Sequence, residues 1–300
     1  MVNKIFVGGL PRSGTTMVQN ILDSHPLIYG GSEFDRLPNI MDLRTKLINT
    51  LKSGRIEEYT NQATIDKAIR DLIETLFKGI KSDKNYSFIS EKTPWNILFF
   101  EELFEVYPEA KFIMVLRHPL AVLSSMKKVA KNAKEKGVQA PDFTENYLIA
   151  SAYMEQVYLQ MQKMKTKYPN SFYIVRYESL LKNLEEETKL LCDFIGVKWS
   201  TNMLDFNTIS HPGEKTMTKN EIWYTKDKFN AHPNTKLKNN NTTNLTFKEK
   251  AFLNYLFFKN KLAGNYFNTL PTIYRLFGKI IYQKYKSNYQ FKSLPKRLLN

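Results

Sequence analysis

The chain of 300 residues has a single cysteine, Cys192. It can form no intrachain disulfide and cannot build a cysteine-based metal cluster. It has no apolar run of the roughly 18 residues needed to cross a bilayer as a helix. No secretory signal pattern precedes the strand-like KIFVGG at residues 4–9. Acidic residues are scarce, 29 against 44 Lys and Arg, which leaves a net charge of +15. These shortages lead to the expectation of a soluble, cytoplasmic protein in a reducing compartment with anionic partners. Nucleic acid, an anionic cofactor, a sulfated or phosphorylated product and a membrane surface all suit that charge. The four histidines, His25, His118, His211 and His232, show no metal-ligand spacing and read as structural or exposed.

What the chain does have is core. A hydrophobic content of 42% with 13% aromatics is ample for one sizeable domain. Runs rich in Ile, Val, Phe or Tyr at 4–7, 86–89, 112–116 and 172–175 predict short buried strands. Between them, Ile65, Ile69, Leu72, Ile73, Leu76, Phe77 and Ile80 form an amphipathic stripe. Helices are also predicted over 144–168, over 183–195 up to Gly196, and from about 246 to 262. Strands alternating with helices predict an α/β fold: a P-loop-type parallel sheet flanked by helices on both faces. A loop-rich, helical C-terminal third follows. The reading assigns residues 1–270 to one domain and 271–300 to a basic aromatic tail. In that tail Ile273, Leu276, Phe277, Ile280 and Ile281 share one helical face. The tail is either packed on the domain or laid on a membrane surface.

The stretch VGGLPRSGTTM, residues 7–17, reads like a phosphate-binding loop without its lysine. Gly9 and Gly14 keep the glycine spacing of G-x-x-x-x-G-K-[ST], and Thr16 keeps the hydroxyl. Thr15 stands in the lysine's place, and Arg12 lies three residues earlier. Strand, glycines and helix start together predict backbone amides converging on an anion. A Mg-dependent nucleotide enzyme would want a carboxylate at the end of a nearby apolar strand. The best such strand, KFIMVLRHP, ends instead in Arg117, whose planar fork suits a second phosphate. Ser125 follows eight residues later in the helix after Pro119. Two anion sites and no evident metal site predict a doubly phosphorylated nucleotide whose reaction needs no Mg²⁺.

GGLPRSGTTMVQNILDSHP, EKTPW, AKFIMVLRHPLAVLSSM and VRYESLL, taken together, resemble the sulfotransferases that use 3′-phosphoadenosine 5′-phosphosulfate (PAPS). Within them the chain is similar to the tyrosylprotein-sulfotransferase-like branch, over about residues 4 to 200. The resemblance implies that Arg12, Ser13, Gly14, Thr15 and Thr16 cradle the 5′-phosphosulfate, and that Arg117 and Ser125 hold the 3′-phosphate. It gives Arg12 and Lys92 to the bridging oxygen or sulfonate, and Tyr177 to the adenine side. Cytosolic small-molecule sulfotransferases keep a histidine base two residues after this lysine, where this chain has Pro94. The tyrosylprotein-like branch uses a glutamate, which falls on Glu33. That branch then has an arginine two residues on, whereas this chain has Asp35 followed by Arg36. Thr216, Thr218, Lys226 and Lys228 lie where the family has a loop over the donor. Blander readings stand beside these: Lys92 as a surface charge, Glu33 as a helix-capping carboxylate, Tyr177 as packing.

The expected function is therefore sulfuryl transfer from PAPS to an acceptor hydroxyl, with no metal required. A glycan or lipid-linked sugar is the favoured acceptor, because no lumenal anchor is visible; protein tyrosine and small molecules are the others. The rival readings are a Mg-dependent P-loop small-molecule kinase and a nucleic-acid-binding protein. The latter rests on charge alone, without a recognised motif, so no specific nucleic-acid partner is expected. Peripheral membrane contact through the tail is the remaining partner expectation.

Overall fold

The structure, a computed structural model, describes residues 2–80, 86–211, 222–223, 242–259 and 270–285. At its centre lies β1, Asn3–Gly9, which is buried from Lys4 onward. A strand without a solvent face has to sit inside a sheet covered on both sides. It pairs in parallel with β3, Phe88–Lys92, on one side and with β4, Lys111–Leu116, on the other. β2, Ile28–Gly30, and β5, Phe172–Arg176, complete an all-parallel sheet of order β2-β3-β1-β4-β5. This is the predicted α/β architecture with one strand more than expected. β2 is three residues long, too short to show a period in the sequence. The strand expected at 86–89 lies later, so that Lys92 is its last residue.

Strand side chains alternate between the two faces. Ile5, Val7, Ile113 and Val115 pack with Val18, Ile21 and Leu22 of α1, Thr15–Asp23, and with Leu191 and Ile195 of α9, Leu184–Ile195. Phe6, Phe112, Met114 and Phe172 face the larger cluster on the other side. That cluster draws on α2, Leu37–Lys52, α3, Gln62–Phe77, and α4, Phe100–Val106. It also takes in α5, Pro119–Glu135, and α7, Tyr147–Lys167. The helix expected over 144–168 is divided. A short α6, Asp142–Glu145, stops before Asn146, whose Oδ1 accepts from the Leu148 amide at 2.9 Å and starts α7. The chain leaves β5 through the short α8, Tyr177–Lys182.

Two further helices are α10, Phe247–Lys259, and α11, Thr272–Tyr285. α11 packs on α10 with Gly278 at the contact, where an added Cβ would come within 2.0 Å of the Ala251 carbonyl. The first part of the expected tail is thus a helix packed on the domain. The rest of it, residues 286–300, lies outside the described residues, as do Thr216, Thr218, Lys226, Lys228 and His232. Among the described residues no helix is long and apolar enough to cross a membrane.

Candidate active site

The connection after β1 runs toward β2, while the connection after β4 runs toward β5. Open parallel sheets bind ligands at such a divergence, beyond the carboxyl ends of the strands. Residues 10–14 and Arg117 lie there. Arg12 (φ 75°) and Gly14 (φ 104°) take left-handed conformations, which curl the chain between β1 and α1. Gly14 is the N-cap of α1, and Thr15 and Thr16 are its first two residues, so the first-turn amides lie at the positive helix end. The Ser13 hydroxyl is buried there and has no hydrogen-bond partner among the described residues.

Three of the expected residues close around this loop. The Arg117 guanidinium stands 4.5 Å over the Tyr177 ring and donates from Nη1 to the Arg12 carbonyl at 3.0 Å. Its Nε, also buried, has no partner among the described residues. Tyr177 lies so close to the loop that a Cβ on Gly14 would meet its ring at 2.4 Å. Arg12 turns toward α5, donating from Nε to Ser125 Oγ at 3.1 Å and from Nη1 to the Trp223 carbonyl at 2.8 Å. Ser125, expected to act with Arg117, therefore meets Arg12.

Lys92 is buried, not a surface charge. Parallel pairing sets it opposite Val7, one strand away from the loop. Its ammonium pairs with the Glu33 carboxylate and donates to Thr16 Oγ1 at 3.3 Å. A cation from the neighbouring strand thus stands beside a loop that has no lysine of its own. Glu33 keeps about a third of its side chain exposed.

Glu33 is held by a network that sequence reasoning missed. The α1 residue Gln19 donates to the carbonyls of Gly31 (3.1 Å) and Ser90 (2.9 Å). On the other side of the segment, the Phe34 amide donates to Glu91 Oε1 at 3.1 Å and the Asp35 amide to Thr93 Oγ1 at 3.1 Å. Thr93 Oγ1 in turn donates to Glu91 at 2.7 Å, and Asn96 Nδ2 donates to its other oxygen. Glu91 is buried, and burial pushes its carboxyl up to about 7 against the opposing hydrogen bonds and the charge of Lys92. The sequence signal was present in EKTPW: two adjacent charges ending a buried strand must point to opposite faces.

A sequence profile of the Sulfotransferase family matches residues 4–201. The chain belongs to that family. It is 27% identical over 203 residues to a putative protein-tyrosine sulfotransferase of Caenorhabditis briggsae, covering 67% of this chain and 68% of that protein. With protein-tyrosine sulfotransferase 1 of Danio rerio it is 25% identical over 206 residues. That match covers 67% of this chain and just over half, 55%, of the fish protein. Among solved structures, it superimposes on the sulfotransferase domain of the Synechococcus PCC 7002 olefin synthase with a TM-score of 0.55 at 18% identity. That superposition covers 95% of this chain and 94% of that one, so the shared fold extends past the matched sequence.

Other titratable groups of this sulfotransferase serve its architecture. His25 Nδ1 accepts from the Leu27 amide, and His118 Nδ1 accepts from the Leu120 amide at the start of α5. His211 is buried between Asp23 (2.6 Å) and the Phe206 carbonyl (2.6 Å). Asp23 also accepts from the Gly30 amide at 2.7 Å, tying α1, β2 and His211 together. Cys192 is buried against Met203, and burial pushes its thiol up to about 11, which leaves it unreactive. Among the described residues no group of three or more His, Cys, Asp or Glu stands close enough to hold a metal ion.

Proposed function

We propose that this sulfotransferase moves a sulfuryl group from PAPS to the hydroxyl of a glycan or lipid-linked sugar. The observation that carries the reading is the placement of Lys92 between Glu33 and Thr16, beside a loop that lacks its own lysine. The site fits an anionic nucleotide by its donors: Ser13 Oγ and Arg117 Nε are buried polar atoms with nothing to bond among the described residues. The Arg12–Thr16 loop would hold the 5′ end of the donor, Arg117 and Ser125 its 3′-phosphate, and Tyr177 its base. When bound, the donor supplies an activated sulfuryl group on a phosphate leaving group.

The chain's own contribution is charge and position. Arg12 and Lys92 would hold the donor's phosphosulfate end and offset the negative charge that its departing phosphate develops, as preorganised groups do without reorganising water. Glu33 holds a carboxylate at the open side of the site, ready to take the acceptor's proton. Asp35 adds a second carboxylate there, which suits a neutral polyhydroxyl acceptor better than an acidic peptide. Trp95, Phe143 and Tyr153 form a ring cluster that Trp223 extends, and the Trp223 carbonyl bonds Arg12. A tyrosine hydroxyl is the second reading, favoured by the names of the relatives.

The nucleotide reading is tested by thermal shift with 3′,5′-adenosine bisphosphate, Mg-ATP and single-stranded DNA. The bisphosphate at 100 times its Kd should stabilise the protein by about 2.7 kcal/mol. Stabilisation by Mg-ATP alone would return the kinase reading to first place. Transfer of radiolabelled sulfate from PAPS to glycan, lipid-linked sugar and tyrosine-peptide acceptors, with and without EDTA, then separates the acceptor classes. Turnover should survive EDTA.

A further inference from the structure

α11 has two faces. Tyr274, Gly278 and Tyr282, spaced by four, lie toward α10: Tyr274 against Phe247 (ring centroids 4.7 Å apart), Gly278 against Ala251, Tyr282 against Tyr255 (5.4 Å). Lys259 of α10 reinforces this seam by donating to the Tyr282 hydroxyl at 2.7 Å. On the other face Ile273, Leu276, Phe277 and Ile280 stand 54%, 59%, 47% and 63% exposed. Their spacing of three, four and seven makes one continuous stripe along the helix. Phe247, itself 45% exposed, touches Phe277 and widens it. A helix docked through one side that turns a second apolar side outward has something left to bury.

The chemistry of that partner is set by charge. α11 has Arg275, Lys279 and Lys284 and no acidic residue. Residues 250–300 hold ten Lys or Arg and no Asp or Glu, so they carry ten of the fifteen net charges in a sixth of the chain. Arg275 lies over the Phe258 ring at 4.1 Å, at the shoulder of the helix. Two copies of a helix that carries Arg275, Lys279 and Lys284 and no carboxylate repel each other. An apolar stripe in a basic field matches an anionic lipid surface, whose acyl boundary takes the stripe while headgroups meet the lysines.

We infer that α11 is a membrane-surface helix that docks this chain on anionic phospholipid. Because its inner face is fixed on α10, the helix presents the stripe in a set orientation and pays no folding cost at the surface. This inference is independent of the donor and acceptor assignments above.

Vesicle co-sedimentation of the full chain tests it. The protein should pellet with equimolar phosphatidylcholine and phosphatidylglycerol, not with phosphatidylcholine alone, and added salt should release it. Replacing Ile273, Leu276, Phe277 and Ile280 together by Ser should weaken binding by ~10-fold or more while leaving the far-UV circular dichroism unchanged. Lys279→Gln with Lys284→Gln, which leaves the stripe intact, should weaken it about 5-fold per charge. Failure of the wild-type chain to bind anionic vesicles would overturn the inference and leave the face to another segment of this chain. Equal binding by the four-Ser variant would also overturn it. A wild-type dimer in analytical ultracentrifugation that the four-Ser variant converts to monomer would overturn it in favour of contact between two copies.

Discussion

A buried ammonium is tolerated only with partners, and Lys92 has two, the Glu33 carboxylate and the Thr16 hydroxyl. The two differ in what their loss should do. Thr16 sits on the loop, so its change should be felt in nucleotide affinity. Glu33 faces outward, so its change should be felt in turnover. Glu33→Gln keeps the size and the hydrogen bond to Lys92 but removes the proton acceptor. It should lower kcat by ~10²–10⁴-fold. Calorimetry should find the affinity for 3′,5′-adenosine bisphosphate within a few-fold of wild type. A kcat that also stays within a few-fold would make Glu33 a structural partner of Lys92 and nothing more. Arg12 and Arg117 were singled out from the loop and the strand end, and Lys92, Glu33 and Tyr177 from the family resemblance; the structure brings all five to one end of the sheet. Glu91 was not. Its burial depends on the Phe34 amide, which lies 57 residues away and comes near only when residues 31–36 fold back on β3. The contact of Arg12 with Trp223, 211 residues on, was beyond reach for the same reason.

At the level of elements, the loop between β1 and α1 is held by shape as much as by sequence. Gly14 combines a left-handed φ of 104° with a wall, the Tyr177 ring, where a Cβ would have to go. Gly14→Ala should therefore weaken bisphosphate binding by both strain and displacement of Tyr177; strain alone costs about 1–3 kcal/mol. The two parts separate in a double-mutant cycle. In a Tyr177→Ala background the Gly14→Ala cost should shrink to the strain part; strict additivity would mean that the ring does not press on the loop. Elements with a pattern of their own were read correctly, among them β1, β4, β5, α3, α9 and α10. β2 has none. It exists because Asp23 holds the Gly30 amide and because the amides of Ser87 and Phe88 reach the Leu27 carbonyl. α2 was missed because its inner face, Leu37, Met41, Arg44 and Ile48, includes an arginine. Buried Arg44 is paired with Asp66 and Glu105, partners from two other helices that no local pattern reveals.

For the whole molecule, the sheet order and the charge mark two different parts of the chain. The divergence between β1 and β4 gathers the groups proposed to bind the donor at one end of the sheet, while the excess of positive charge lies mainly after residue 249. The centre of the molecule carries a cost that pH should expose. Glu91 sits on the sheet face that packs α2 and α4, and its carboxyl is pushed up to about 7 from an ordinary 4.5. Below the ordinary value both folded and unfolded chains hold the proton, and Glu91 contributes no pH dependence. Between the two values the folded protein keeps a proton that the unfolded chain has released, so stability falls as pH rises. Above about 7 both have lost it and the loss is complete, roughly 3 kcal/mol for such a shift. Glu101 and Glu249, held low by their hydrogen bonds with Lys163, Lys167 and Lys127 despite burial, work in the opposite sense and lose stability in acid. The Glu91 part is isolated by comparison with Glu91→Gln, which cannot titrate. Denaturant unfolding should show the Gln variant gaining on wild type by roughly 3 kcal/mol between about pH 4 and about pH 8. If the difference between the two proteins stays constant across that range, Glu91 is ionised throughout, and the segment bearing Glu33 is fixed to β3 by a permanent carboxylate.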